Sequence, residues 1–427
     1  MYDYHNRIFR LSADPYSGLG DEEKMLIDAM FNKEGVKYDQ ATYRKNLSKL
    51  VDALKQNLFS AEYGEPDNLT ATMMEMNLNR FGFDKNLATI YRLNEELRVS
   101  NNYNDFRNRA SGILELFDDH YLKTEYDTAI AIAQNASAWN RFKKEAAYFP
   151  YLMFQAIDDD RTTAQCHALD GKYFAVNDSS WWSMYPPLHW RCRSEMLQVK
   201  SAPEGALLSG PDAMGLLGDN YRKMKAAGFA VNRGETKDVF DLNKGYIKQL
   251  PGGRIDGNKL TWRDAQLSAY KTDSRMPSLK LEQKSAEDVL SHYGSNSKNS
   301  VQVYTDRKGR KLGLRERDLK KHLGIDYTAP EENRQALYFK IGEVLDNSDE
   351  IWFTQHSQTR FTYKYVKFYQ EKSVVVVAEV TSKGENDIEG SQVHEVFNIK
   401  TFYNTIEGKN GKSTDDHRLG ILIEKGH

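Results

Sequence analysis

The spacing of apolar residues differs between the first and the last part of this 427-residue chain. Between residues 21 and 142, apolar residues recur every three or four positions, as at Leu50 and Leu54, which predicts amphipathic helices. Between residues 350 and 403, runs rich in β-branched and aromatic residues replace this period, for example residues 373–380. These runs predict strands. We therefore expect a multidomain α+β protein whose first part is mainly helical.

The length and the chain breaks predict four regions. A chain of 427 residues is too long for one ordinary core, and glycine and proline become frequent between residues 201 and 285. The predicted regions are an N-terminal helical region at 1–60, a compact module at 61–200, a connector with short helices at 201–285, and an α+β domain at 286–427. In the last region, we expect helices to pack on an antiparallel sheet.

Charge and hydropathy limit the function classes. The formal net charge of −2 argues against a globally basic nucleic-acid coat, although a local basic patch is compatible with it. No apolar run approaches the roughly 20 residues that a membrane-spanning helix needs. The first ten residues mix charged and aromatic side chains and have no signal-peptide core. We expect no membrane partner, and a protein that is made and acts in a bacterial cytoplasm.

The two cysteines of the chain lie close to histidines. Cys166 precedes His167, and Cys192 follows His189 by three residues. Two pairs of sulfur and nitrogen donors could close on one Zn²⁺, and the set Cys166, His189 and Cys192 is easier geometrically than one that uses adjacent residues. A buried pair of reduced thiols beside a structural histidine explains the same pattern equally well. Both interpretations remain open at the level of sequence.

Longer motifs around these cysteines carry a resemblance. The segment 161–174 contains Cys-His-Ala-Leu-Asp-Gly, the segment 185–193 reads Tyr-Pro-Pro-Leu-His-Trp-Arg-Cys-Arg, and the segment 228–234 reads Gly-Phe-Ala-Val-Asn-Arg-Gly. Together they resemble the phage Mu F-like minor head, or head morphogenesis, family over about residues 60–240. The resemblance implies a phage or prophage protein in the virion, near the portal, with portal and capsid proteins as partners.

The chain departs from that family at two positions. Family members often carry a further cysteine near Thr163 and another where this chain has Ser194. A closed structural zinc site needs four strong donors. The resemblance therefore supports the module more strongly than the metal, and the sequence leaves a structural Zn²⁺ as an expectation. A zinc-dependent hydrolase at Cys166 and His189 lacks a nearby general base other than Asp170.

The last region contains residue types that cleave RNA without a metal ion. Histidine or lysine can move the proton of a 2′-hydroxyl, while arginine and lysine stabilise charge that develops on phosphorus. A basic stretch at 307–321 suits a phosphate backbone, although most charge runs are solvated helix faces. The candidate catalytic residues are His322, Arg334, Lys367, Thr401 and Tyr403. For each of these five residues, the alternative to a catalytic role is an ordinary position on the surface or in the core of the sheet.

The order of helices and strands in residues 286–427 resembles the phage-associated nucleases of the barnase, EndoU, colicin E5/D and RelE-like group. The resemblance implies a metal-independent endoribonuclease toxin with RNA, for instance tRNA, as substrate and an immunity protein as partner. It assigns His322 to acid–base catalysis, Arg334 and Lys367 to phosphate binding, and Thr401 to orientation. No cofactor is expected for catalysis. The alternative is a purely structural minor capsid protein that is located near the portal and has a non-catalytic binding domain.

Overall fold

The computed structural model describes residues 15–32, 36–58, 68–246, 250, 256–294, 300–324, 334–357, 360–381, 397–405 and 413–426. The chain forms two compact units, Met1–Arg254 and Ile255–His427. Among the described residues, no helix combines the length and the apolar character that crossing a membrane requires.

Five helices build the first part of the first unit, which confirms the prediction of a mainly helical region. They are α1 (Asp21–Phe31), α2 (Gln40–Leu58), α3 (Asn68–Val99), α4 (Tyr103–Glu115) and α5 (Leu122–Glu145). One π-helical segment, Leu116–Tyr121, joins α4 to α5. The apolar positions spaced by three and four residues face inward, and Leu26, Ile90 and Phe106 pack into one cluster.

A small sheet follows α5 and carries the cysteine motif. Its strands are β1 (Tyr151–Gln155), β2 (Tyr173–Ala175) and β3 (Glu195–Val199), arranged β2-β1-β3 with antiparallel pairing. Four short helices accompany them: α6 (Ala164–Leu169), α7 (Gly210–Leu217), α8 (Asp219–Ala227) and α9 (Arg233–Thr236). The 3-10 helix Ser179–Met184 lies between β2 and β3 in the sequence.

Aromatic side chains fill the space between α5 and this sheet. Trp139, Trp181 and Tyr185 are fully buried, and the ring centroids of Trp139 and Tyr185 lie 4.9 Å apart. Gly234 of α9 approaches so closely that a Cβ atom there would lie 2.5 Å from the Trp139 side chain. Only glycine fits at that position. The cysteine motif is therefore built around a densely packed aromatic core.

The second unit contains a seven-stranded sheet. Its strands are β4 (Val301–Thr305), β5 (Lys311–Arg315), β6 (Glu350–Ser357), β7 (Arg360–Phe368), β8 (Ser373–Thr381), β9 (Phe397–Asn404) and β10 (Ile421–Lys425). The helices are α10 (Ala286–Tyr293), α11 (Glu316–His322), α12 (Arg334–Tyr338), α13 (Ile341–Asp346) and α14 (Thr414–His417). The strand order is β10-β6-β7-β8-β9-β5-β4.

This sheet corrects one prediction, because it is mixed rather than antiparallel. β5 and β9 pair in parallel through Leu312 opposite Phe397 and Gly313 opposite Asn398. All the other strand pairs are antiparallel. The parallel pair arises because α11 to α13 and β6 to β8 all intervene before the chain returns to β5. The α+β class itself is confirmed.

A buried ion pair fastens the C-terminal helix to the sheet. Arg418, directly after α14, lies 2.5 Å from Glu350 of β6, and both side chains are almost fully buried. The backbone N–H of Trp262 donates to the carbonyl of Arg418 at 3.1 Å. This anchoring fixes the position of the preceding residue, His417.

Candidate functional site

One edge of β9 is open to helices rather than to another strand. β5 pairs with β9 only at residues 397 and 398, and a β-bulge at Lys400 interrupts the pairing of β9 with β8. In the described part of the chain, no strand pairs with residues 400–404 on the side away from β8. Helices α11 and α12 lie beside this edge instead. Bulges and open edges are places where a sheet can present side chains for function.

Three of the predicted residues meet at this edge, and we call them the edge cluster: His322, Arg334 and Thr401. His322 Nε2 lies 2.7 Å from the carbonyl oxygen of Lys400. Arg334 Nη1 contacts His322 Nδ1 and lies 3.3 Å from Thr401 Oγ1. A carbonyl only accepts, so in the neutral ring Nε2 carries the proton and Nδ1 presents its lone pair to Arg334. The cluster joins a histidine, a cation and a hydroxyl.

Lys367 lies away from the edge cluster. It pairs in register with Val374 of β8, which pairs with Asn404 of β9. Because Asn404 is three residues after Thr401, Lys367 and Thr401 point to opposite faces of the sheet. Lys367 Nζ lies 3.2 Å from Asp349. The structure therefore separates Lys367 from the residues with which the sequence grouped it.

Tyr403 is on the same face of β9 as Thr401, and its partner is a residue that the sequence analysis missed. The Tyr403 hydroxyl lies 3.0 Å from Nδ1 of His417 in α14, and the two ring centroids are 4.9 Å apart. The sequence did contain a signal for the helix that carries His417. Ser413-Thr-Asp-Asp-His417 forms a capping box, which predicts a short helix ending at the histidine. A second histidine is thus placed along the strand that carries Thr401.

Lys364 shares the Thr401 face as well, because the register runs from Lys364 through Val377 to Thr401.

Several other basic residues of the second unit form ion pairs within that unit. These pairs are Arg307 with Glu424 at 3.0 Å, Arg310 with Asp306 at 2.7 Å, Lys320 with Glu316 at 2.7 Å and Arg360 with Glu379 at 2.6 Å. Part of the predicted basic patch therefore stabilises the fold.

In the first unit, the structure brings together the predicted set of Cys166, His189 and Cys192. The Cys166 sulfur lies 3.3 Å from His189 Nε2 and 3.8 Å from the Cys192 sulfur. Both cysteines are free thiols and are buried. The hydrogen bond with Cys166, supported by His189, lowers the pKa of Cys192 well below the usual thiol value, although burial opposes this shift. We call these three residues the thiol–imidazole cluster.

The turn at Asp170 and Gly171 in the motif has a structural explanation. Asp170 accepts a hydrogen bond from the backbone N–H of Ala156 at 2.8 Å, and Gly171 adopts a positive φ of 68°. Glycine tolerates this left-handed conformation. Arg193 forms an ion pair with Asp159 at 2.6 Å. These contacts hold the loops around the thiol–imidazole cluster in place.

Comparison with known proteins finds two curated relatives of this chain. The chain is 32% identical over 80 residues to the "Mu-like prophage FluMu F protein" of Haemophilus influenzae, which covers 19% of each chain. It is 28% identical over 89 residues to the "Putative capsid assembly protein F" of Escherichia phage Mu, covering 21% of this chain and 20% of that protein. The chain thus matches about a fifth of the length of these curated relatives. No solved structure gives a significant match.

Two family models match separate segments. Residues 82–197, which include the thiol–imidazole cluster, match the family "Phage Mu protein F like protein". Residues 288–412, which include the edge cluster, match the family "phage-Barnase-EndoU-ColicinE5/D-RelE like nuclease2". The chain therefore combines a segment similar to the Phage Mu protein F like family with a segment similar to the phage-associated nuclease family of the barnase, EndoU, colicin and RelE type.

Proposed function

We propose that the unit Ile255–His427 is an endoribonuclease that needs no metal ion, and that the chain is a phage or prophage head protein that carries it. The observation behind this proposal is the edge cluster, in which His322, Arg334 and Thr401 meet inside the segment matched by the nuclease family. A histidine, a guanidinium and a hydroxyl are suited to phosphoryl transfer from a 2′-hydroxyl nucleophile.

The geometry suggests a sequence of steps. When Arg334 turns from His322 towards a phosphate of the substrate, it releases His322 Nδ1 as a proton acceptor. His322 then takes the proton of the 2′-hydroxyl, the 2′-oxygen attacks phosphorus, and the bond from phosphorus to the 5′-oxygen breaks. Arg334 stabilises the charge that builds on the phosphoryl oxygens, and Thr401 orients that group. The products are a 2′,3′-cyclic phosphate and a 5′-hydroxyl.

The leaving 5′-oxygen must receive a proton. His417 is the second histidine near this face of β9, and its contact with the Tyr403 hydroxyl fixes the orientation of its ring. A protonated His417 is the group that we assign to this step. It lies beyond residue 412, where the family match ends, so its role rests on its position in this chain.

The first unit bears on where the proposed nuclease acts. One relative of the chain is named a putative capsid assembly protein, and we propose that this chain also acts in capsid assembly. Portal and capsid proteins would be its partners in the virion, the nuclease would act on RNA, such as tRNA, in a bacterial cytoplasm, and an immunity protein would protect the producing cell. A purely structural head protein with a non-catalytic second unit is the alternative.

The decisive experiment uses the full chain from cell-free synthesis and end-labelled RNA in the presence of a chelator. We expect cleavage, with Arg334→Ala slowing it by about 10²–10³-fold and His322→Ala by about 10²–10⁴-fold. Lys425→Ala is the matched control, because Lys425 is exposed on β10 at the far end of the strand order. It should cleave like the unmodified chain.

The substrate provides a second control that is independent of protein folding. Replacing the nucleotide at the cleaved position by its 2′-deoxy form should abolish cleavage there, because the nucleophile is absent. Equal cleavage of the deoxy substrate, or activity that requires an added metal ion, would overturn the mechanism. Intact RNA with the folded, unmodified chain would favour the structural alternative.

A further inference from the structure

We infer that the thiol–imidazole cluster is a zinc site, in which Cys166, His189 and Cys192 are the protein ligands. The ligand atoms of the three residues all lie within 4.8 Å of one another. The cluster is in the first unit, and the proposed nuclease reaction does not use it. The inference is therefore independent of the proposed function.

The distances agree with a tetrahedral ion. With Zn–S bonds of about 2.3 Å and Zn–N bonds of about 2.0 Å, neighbouring ligand atoms of a tetrahedron lie roughly 3.5–3.8 Å apart. The two sulfurs are separated by 3.8 Å, and the Cys166 sulfur lies 3.3 Å from His189 Nε2. Both distances are close to the tetrahedral values, and the third pair of ligand atoms, Cys192 Sγ and His189 Nε2, lies within 4.8 Å.

The surroundings orient the ligands as they do in zinc proteins. His189 Nδ1 donates to the carbonyl of Trp190 at 2.8 Å, so the ring is fixed with Nε2 directed at the sulfurs. Metal-binding histidines almost always use their second nitrogen in this way. The side chains of Ser194 and Thr163 are near the Cys166 sulfur, and both favour its thiolate form by lowering the pKa of Cys166. The sulfur environment is therefore polar although it is buried.

The fourth position falls to a water molecule. Cys192 and Ser194 line a cavity of about 400 Å³, together with Asp127, Gln134 and Arg141. A cavity of this volume holds several waters, and its polar lining supplies their hydrogen-bond partners. His167 is unsuited to this position, because it is half exposed and its Nδ1 lies 3.6 Å from Asp158. The ligand set is thus three protein donors and one water.

The ion would tie two loops of the motif together. Cys166 lies in α6, between β1 and β2, whereas His189 and Cys192 lie in the segment that leads into β3. Because the ligands come together only in the folded chain, an ion that binds them stabilises the folded state over the unfolded state. Zinc binding should therefore raise the thermal stability of the first unit.

The test uses the full chain, purified without chelator under reducing conditions, with metal content measured by mass spectrometry. We expect about one zinc per chain, and at least a ~10-fold lower content in His189→Gln. His167→Gln is the matched control and should keep its zinc, because it changes the neighbouring histidine that points elsewhere. A strong chelator should lower the Tm of the unmodified chain and of the control, but leave that of His189→Gln unchanged.

A spectroscopic measurement on the unmodified chain keeps the inference testable if His189→Gln fails to fold. Replacing zinc by Co²⁺ should produce a thiolate-to-cobalt charge-transfer band and the visible bands of a tetrahedral site. Less than ~0.1 zinc per chain after incubation with ZnCl₂ would overturn the inference. An absent charge-transfer band would also overturn it, as would a Cys166–Cys192 disulfide in the reduced preparation.

Discussion

The two units place a histidine in the same way but give it different neighbours. In the first unit, His189 Nδ1 donates to a backbone carbonyl at 2.8 Å and Nε2 faces two thiols. In the second unit, His322 Nε2 donates to a backbone carbonyl at 2.7 Å and Nδ1 faces Arg334. One ring nitrogen fixes the orientation in both, so the remaining partner decides the chemistry. Thiols favour a soft metal ion, and a guanidinium favours a phosphate.

Burial adds a second difference between the two regions. The thiol–imidazole cluster lies against a densely packed aromatic core, whereas the edge cluster lies beside the open edge of a strand. Changes in the first region should therefore alter the free energy of unfolding. Changes at the edge cluster should alter RNA cleavage while the fold persists.

Truncating the aromatic core should have the largest effect. Trp181 is fully buried, and its ring centroid lies 4.6 Å from that of Phe174. Trp181→Ala should lower the free energy of unfolding of the first unit by about 3–5 kcal/mol, because it leaves a cavity. Urea unfolding followed by fluorescence or circular dichroism measures the loss. Tyr148→Ala is the control, since Tyr148 is 77% exposed, and a similar loss there would break the contrast.

A buried carboxyl in the first unit should make stability depend on pH. Burial raises the pKa of Asp118 from 3.8 to about 6, even though Asn46 donates a hydrogen bond to Oδ1 at 2.7 Å. Oδ2 is buried and has no hydrogen-bond partner in the described part of the chain. Because the folded state holds this proton more tightly, stability should fall as the pH rises from about 4 to about 6.

Asp118→Asn should remove this pH dependence. At neutral pH, the variant should be more stable than the unmodified chain by at most ~3 kcal/mol, at about 1.4 kcal/mol for each pKa unit. Urea unfolding at pH 5 and pH 7.5 measures the change. Asp119→Asn, at the exposed neighbouring residue, should leave the pH dependence as it is. An unchanged slope in Asp118→Asn would show that this carboxyl ionises normally.

The sequence predicted the helical first part and the four strands β6 to β9, because both depend on local periods. It also grouped Cys166, His189 and Cys192, since the neighbouring motif confined them to one compact region. In the second unit, the strands β4, β5 and β10 were not predicted. The residues of β4 and β5 fall in and before the basic stretch, where charge obscures the alternation. The parallel pairing of β5 with β9 joins segments about 85 residues apart in the sequence, and local sequence patterns do not predict pairing over such a distance.

The candidate nuclease site was predictable only in part. His322, Arg334 and Thr401 were grouped by chemistry, and their meeting depends on the free edge beyond residue 398. Whether Lys367 shares a face with Thr401 depends on the register between β7, β8 and β9. Alternation along one strand divides its side chains between two faces, but it does not say which face carries Thr401. His417 was missed because its role depends on the ion pair that anchors Arg418.

Removing the hydroxyl of Thr401 should change cleavage without changing the fold. Thr401→Val keeps the shape and the β-branching but loses the atom that Arg334 contacts at 3.3 Å. We expect RNA cleavage to fall about 10-fold, which corresponds to roughly 1.4 kcal/mol in the barrier. The free energy of unfolding should change by less than ~1 kcal/mol. Thr401→Ser restores the hydroxyl and should restore cleavage, and failure to do so would assign the effect to packing.

Replacing Lys367 should have the smallest effect and tests the assignment of faces most directly. Lys367→Met removes the ion pair with Asp349, which retains a hydrogen bond from the backbone N–H of Phe368 at 2.6 Å. Because a partly exposed pair contributes little, the free energy of unfolding should fall by about 0.5–1 kcal/mol. RNA cleavage should stay within ~2-fold of the unmodified chain, since Lys367 faces away from Thr401. A 10-fold loss of cleavage at unchanged stability would contradict this prediction. It would show that Lys367 belongs to the nuclease site and that the substrate contacts both faces of the sheet.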